Sequence, residues 1–101
     1  MADVQLRPSA ESDFIEIGEY TRKHWSQAQA ELYLQRLLQV IRQIGEQPLS
    51  GQALGPAGLG YRRRRAGSHI VFYVVVPNGS VEVVRILHEK SDALRHLDPS
   101  E

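Results

Sequence analysis

Apolar positions recur along this chain in two different periods, one in each half. Ala10, Phe14, Ile17 and Thr21 return every three or four residues, with Asp13, Glu16 and Glu19 mostly on the other side. That spacing predicts an amphipathic helix from Ala10 to about His24 with one packed stripe. Ser9 stands before it as a candidate cap, and Pro8 discourages continuation of a short opening strand, Val4–Arg7. A second stripe, Ala30, Leu34, Leu37, Ile41 and Ile44, broadened by Tyr33, Leu38 and Val40, predicts another helix. Ser26 and Gln29 frame its start as a capping box, and Gly45 and Pro48 favour its end. The short "HWS" break predicts a helical hairpin with Trp25 and Tyr33 as packing groups.

From Leu49 to Gly60 glycine and proline predict a loop, and the period beyond it falls to two. Tyr61–Ala66, His69–Val76 and Ser80–Leu87 then read as three strands joined by "GS" and "PNGS" turns. The expected fold is α+β: an N-terminal strand, a two-helix hairpin packed on a mainly antiparallel sheet, and a short C-terminal helix, Lys90–Leu97. Both alternating sets of the middle strand are apolar, Ile70, Phe72, Val74 and Val76 on one side and Val71, Tyr73 and Val75 on the other. A two-layer domain needs only one such face, so the second is expected to be covered by a partner or by the chain's own terminal segment.

Length and charge narrow the function. A chain of 101 residues suits one domain with one modest core. Twelve basic residues balance twelve acidic ones, so no global field favours nucleic acid and any charge-driven recognition is local. Without cysteine there is no disulfide, thiol nucleophile or thiolate-bound metal. The opening "MADVQLRPSAESDF" lacks a secretory apolar segment and no run reaches the roughly 20 residues of a membrane span, so a soluble cytoplasmic chain is expected. The glycine-rich loop lacks the G-x-x-x-x-G-K-[ST] spacing of a nucleotide cradle. His24, His69, His88 and His96 show no metal-ligand spacing, so neither metal nor cofactor is predicted.

The order of "LRPSAESDFIEIGEY", "IRQIGEQPLSGQ", "GYRRRRAGSHIVFYVV" and "VEVVRILHEKSDALRHL" resembles the ParE toxins of bacterial type II toxin–antitoxin pairs, within the wider RelE/ParE superfamily. The resemblance spans nearly the whole chain. It implies a toxin masked by a small ParD-like antitoxin in a hetero-oligomer, and poisoning of DNA gyrase without chemical modification of a substrate. RelE-like relatives instead cut messenger RNA on the ribosome, and a toxin-derived binding module without activity is a third possibility.

Ribonuclease chemistry needs a group to activate the ribose 2′-OH, charge stabilisation and a proton donor. Arg62 to Arg65, His69, Tyr73, Arg85, His88 and His96 form a loose inventory for it. The end reads "DALRHL" where RelE-like nucleases commonly carry a functional tyrosine, so no catalytic residue is assigned. In a strand, Arg62 and Arg64 face one way and Arg63 and Arg65 the other. One pair is expected to reach an acidic partner, and Arg62, Arg63, Arg64, Arg65 and Tyr73 are assigned to antitoxin binding; autonomous nucleic-acid binding is not expected. Engagement of all four arginines only within the chain would remove that assignment. Arg85 interrupts an apolar strand and needs an acid, which is expected to be Asp92, Glu89 or another one. By resemblance to the ParE "RILH" motif, Arg85, His88, Lys90 and Arg95 are assigned to target interaction.

Overall fold

The computed structural model describes residues 3–54 and 60–91. Its elements are β1 (Val4–Leu6), α1 (Pro8–His24), α2 (Gln27–Glu46), β2 (Gln52–Ala53), β3 (Arg62–Ala66), β4 (His69–Val75) and β5 (Val81–His88). The five strands form one sheet in the order β1-β5-β4-β3-β2, with β1 parallel to β5 and every other pair antiparallel.

The helix starts obey two different rules. Ser26 caps α2 as expected, its Oγ accepting the Gln29 N–H at 3.2 Å. Ser9 does not cap α1, because the helix begins two residues earlier with Pro8 in its first turn and Arg7 as the boundary residue. Proline there loses nothing, since the first helical N–H groups have no partner in any case, and its fixed φ already suits the helix. Arg22 and Lys23 close α1 with positive charge near its negative end.

Ala10, Ile17, Leu34, Leu37, Ile41 and Ile44 bring the buried stripes of the hairpin onto Val71, Tyr73, Val81, Val83 and Ile86 of the sheet. Leu38, expected to broaden that stripe, is 48% exposed and lies outside the core. The other sheet face carries a smaller core of Tyr61, Phe72, Val84 and Leu87, with Leu54, Ile70 and Val74 packed beside it. A bulge makes both faces work. Tyr73 pairs with Val83 but Phe72 pairs with Arg85, so Val84 is an extra residue in β5. Val83 and Ile86, three apart, therefore both face the helices, while Val84 and Leu87 face away.

The predicted loop contains one pairing, since Gln52 and Ala53 lie opposite Arg63 and Arg62 as β2. Lys90 stands in a turn and Ser91 in a bend, not in a helix, and residues 92–97 of the expected C-terminal helix, Arg95 among them, lie outside the described residues.

Candidate partner-binding site

β3 pairs with β4 along its whole length but with β2 only at Arg62 and Arg63, so among the described residues no strand lies on its outer edge from Arg64 onward. The expected alternation holds: Arg62 and Arg64 are half-buried, whereas Arg63 and Arg65 are exposed. Arg62 donates from Nη1 to the carbonyls of Gly51 at 2.9 Å and Leu49 at 3.3 Å. Arg64 donates to Gln43 Oε1 at 2.7 Å and Ser50 Oγ at 3.3 Å, so this half-buried pair clasps the segment after α2. Arg63 reaches Gln52 Oε1 at 3.2 Å, and Arg65 reaches Gly67 O and the Glu89 carboxylate.

All four arginines are thus hydrogen-bonded inside the chain, which meets the condition stated above for withdrawing the run as a whole from antitoxin binding; what remains open to a partner is the exposure of Arg63 and Arg65. Charge tells a different story. Among the described residues only Arg65 of the four meets a carboxylate, and Arg62, Arg63 and Arg64 bond neutral acceptors alone. A cavity of about 300 Å³ opens at this place, lined by Arg63, Arg64 and Arg65 with Ser50, Gln52 and Ile70. Uncompensated guanidinium groups in a concave, half-open setting fit carboxylates well.

Tyr73 does not belong to this surface. It is fully buried; its hydroxyl donates to Pro48 O at 2.8 Å and accepts the Gly51 N–H at 2.8 Å. The side chain faces the helices, so its polar tip pins the chain after α2 and no partner can touch it.

The target-directed residues also separate. Arg85 grips Asp13 with two hydrogen bonds, Nε to Oδ2 at 2.8 Å and Nη2 to Oδ1 at 2.9 Å. The expected ion pair is thus made with an acid other than the two named for it, Asp13; Asp92 lies outside the described residues, and Glu89 pairs with Arg65. Asp13 also accepts the backbone N–H of Ile86 at 2.9 Å. It does so because β1 pairs with β5 only as far as Val83, and among the described residues no strand pairs with that edge beyond it, where α1 lies instead. The carboxylate takes the place of the missing strand. Asp13 was expected on the solvent side of α1, yet it is 7% exposed, while Glu16 and Glu19 are exposed as expected. Its spacing held the missing signal, for it lies three residues after Ala10 and four before Ile17, within the buried stripe.

His88 and Lys90 are exposed where β5 ends, and His88 Nδ1 accepts the Lys90 N–H at 3.1 Å. The His88 ring stands edge-on to His69, 5.5 Å between centroids. His69 is held below the ordinary histidine range by burial, and His88 lowers it further. Its Nδ1 lies 2.5 Å from the Tyr33 hydroxyl, which also accepts the Ser68 N–H at 3.1 Å. Trp25 meets Tyr33 edge-on at 5.0 Å, the expected packing at the hairpin junction. Among the described residues no group of three or more histidine, aspartate or glutamate side chains is placed to hold a metal ion.

The family described as ParE toxin of type II toxin-antitoxin system, parDE, matches residues 4–93. Toxin ParE1 of Mycobacterium tuberculosis is 39% identical over 92 residues, which cover 91% of this chain and 94% of the relative. Toxin ParE1 of Caulobacter vibrioides is 37% identical over 97 residues, covering 96% and 99%. A solved structure of the chromosomal ParDE TA system from P. aeruginosa superposes with a TM-score of 0.71 at 14% identity, covering 87% of this chain and 96% of that one. The structural likeness gives the RelE/ParE-like fold, and the sequence matches give the family: this chain belongs to the ParE toxins of type II toxin–antitoxin systems.

Proposed function

We propose that this toxin is held by a small ParD-like antitoxin that lays an acidic segment along β3, and that once released it inhibits DNA gyrase in the cytoplasm by binding, without catalysis or cofactor. The observation that carries the first half is the charge imbalance at Arg62, Arg63 and Arg64 on a chain whose formal net charge is zero. Such a local patch orients an acidic segment during encounter even when the whole domain is neutral. Arg63 and Arg65 supply the exposed contacts, and Arg62 and Arg64 keep the strand and the preceding segment in place.

Gyrase as the target rests on family membership and on the closing "RILHEKSDALRHL" motif. His88 and Lys90 are exposed for contact, Arg85 acts through Asp13 as a positioning group, and Arg95 completes the assignment from the motif alone. Purified toxin is expected to block gyrase-dependent supercoiling or trap a gyrase–DNA cleavage complex, and antitoxin to suppress the effect. Charge reversal of Arg63 and Arg65 is expected to slow antitoxin association by roughly tenfold or more at low salt. Unchanged association would remove the arginines from the interface. Ribosome-dependent cuts in messenger RNA without any effect on gyrase would replace the mechanism with the RelE type.

A further inference from the structure

A larger cavity, of about 600 Å³, lies between α1 and the end of β5 and shares no residue with the arginine patch. It exists because β1 stops short while β5 runs on to His88, so helix faces strand edge there. Tyr20 and Trp25, 59% and 37% exposed, form an aromatic side. Ile17 and Ile86 make an apolar floor, and Ser68, His69 and His88 a polar end.

Hydrogen bonding decides what that end offers. The Tyr33 hydroxyl accepts from the Ser68 N–H, donates to the Ala66 carbonyl at 3.3 Å and lies 2.5 Å from Nδ1 of His69. His69 offers a second N–H on Nε2 either as the tautomer whose Nδ1 accepts from Tyr33 or as the imidazolium. His88 Nδ1 accepts the Lys90 N–H, which places a neutral ring's proton on Nε2. The cavity is thus lined by one imidazole donor in the neutral form and by two once His69 is protonated. Asp13, also in the lining, holds Arg85 and the Ile86 N–H with its two oxygens.

We propose that this cavity binds a carboxylate carried on a flat apolar group, with the acid against His69 and His88 and the ring against Tyr20 and Trp25. The volume lies in the range of small-molecule sites, and a few fixed polar groups on an apolar wall are their usual lining. A singly charged acid fits better than a phosphate dianion, because Asp13 and Glu16 share the cavity and its arginine, Arg85, is already paired. The acid comes either from a free aryl carboxylic acid or from the C-terminus of a peptide that ends in an aromatic residue.

Binding is coupled to protonation. The ionisable groups around His69 are Asp13 and Glu16 of α1, Tyr33 of α2, Arg65 of β3 and, from the β5 end, Arg85, His88 and Glu89, with Lys90 beyond. Asp13 and Glu89 already favour the imidazolium, though burial outweighs them. A bound carboxylate adds to their side, so its affinity rises as pH falls through the histidine range.

The test is a titration of the purified chain with phenylacetate, followed by the imidazole resonances of His69 and His88 and the indole N–H of Trp25. Saturable shifts are expected at all three, with tighter binding at lower pH and at least tenfold weaker binding of phenylacetamide. A peptide ending in phenylalanine, as free acid and as amide, separates the two sources: a response to either acid supports the site and names its origin. His69→Gln and the exposed-ring variant His88→Gln should each weaken binding, and the latter serves if the former does not fold. Absence of a saturable shift with both acids, or equal response to acid and amide, overturns the proposal. Neither antitoxin nor gyrase enters the measurement, so its result is independent of the proposed function.

Discussion

Replacing Asp13 by alanine removes three hydrogen bonds that span 72 and 73 residues of sequence. The Arg85 guanidinium, whose side chain is 19% exposed, loses its two bonds to this carboxylate. The buried N–H of Ile86 loses its acceptor where β5 runs past β1. Breaking a buried ion pair from one side costs about 3–5 kcal/mol, and an unsatisfied buried donor about 1–3 kcal/mol. Arg85 is partly wetted, which returns some of that loss, so the expected destabilisation is about 3 kcal/mol. A domain of this size has roughly 5–15 kcal/mol to lose, and each kcal/mol moves its midpoint by about 4–8 °C. The thermal midpoint of Asp13→Ala should therefore fall by at least about 12 °C, read by far-UV circular dichroism and by urea unfolding.

Two further variants separate charge from capping. Asp13→Asn keeps an oxygen for the Ile86 N–H and loses the charge, so it should fall between wild type and alanine. Asp13→Leu combined with Arg85→Met removes both charges and should recover much of the loss, because apolar pairs often replace buried ion pairs without penalty. A loss below about 1 kcal/mol for Asp13→Ala would refute the idea that this carboxylate closes the strand edge. So would an asparagine variant as unstable as alanine, since the capping half of the argument would then have no effect.

Tyr73→Phe keeps the ring and removes both bonds that hold Pro48 and Gly51, so it should cost about 1–3 kcal/mol in urea unfolding while antitoxin association stays unchanged. Gly67 has φ of 62° and a Cβ there would come within 2.6 Å of the Tyr33 ring, so Gly67→Ala should destabilise by about 1 kcal/mol or more and perturb the Tyr33 to His69 contact in NMR spectra. His69 titrates lower in the fold than its ordinary value of 6.5, so the unfolded chain binds more protons in the window just below it. Its contribution to stability is therefore complete above pH 6.5 and is lost as pH falls through the folded midpoint, and His69→Gln should flatten that part of the midpoint-versus-pH curve.

Local rules carried the sequence a long way, and the failures share one cause. Periodicity and the Ser26 cap place both helices, and turn residues place the strands, because each signal sits within a few residues of its effect. Asp13 and Tyr73 went to the wrong side because their partners are remote. The helical spacing of Asp13 fits the buried stripe, yet an acid on such a stripe makes sense only once Arg85 and the edge of β5 past β1 are known. Tyr73 alternates correctly, but two apolar faces in β4 give no sign of which one meets the helices. The bulge at Val84 is likewise silent in a run of apolar residues, although it decides which β5 side chains face the hairpin.

The second sheet face bears on how a partner is recognised. Its two apolar sets raised the choice between a covering partner and burial by the chain itself. Tyr61, Phe72, Val84 and Leu87 are each at most 7% exposed within the chain alone, so those side chains need no partner to leave water. What stays unsatisfied on the neighbouring strand is charge, at Arg62, Arg63 and Arg64. Apolar burial would make antitoxin association nearly insensitive to salt, whereas exposed guanidinium groups are screened beyond roughly 10 Å at 0.1 M ionic strength. Raising salt should therefore slow association while leaving dissociation nearly unchanged, and the effect should shrink in the Arg63 and Arg65 charge-reversed variant. An association rate that does not respond to salt would mean that the partner reads some other face, and that the arginines serve mainly to clasp the segment after α2.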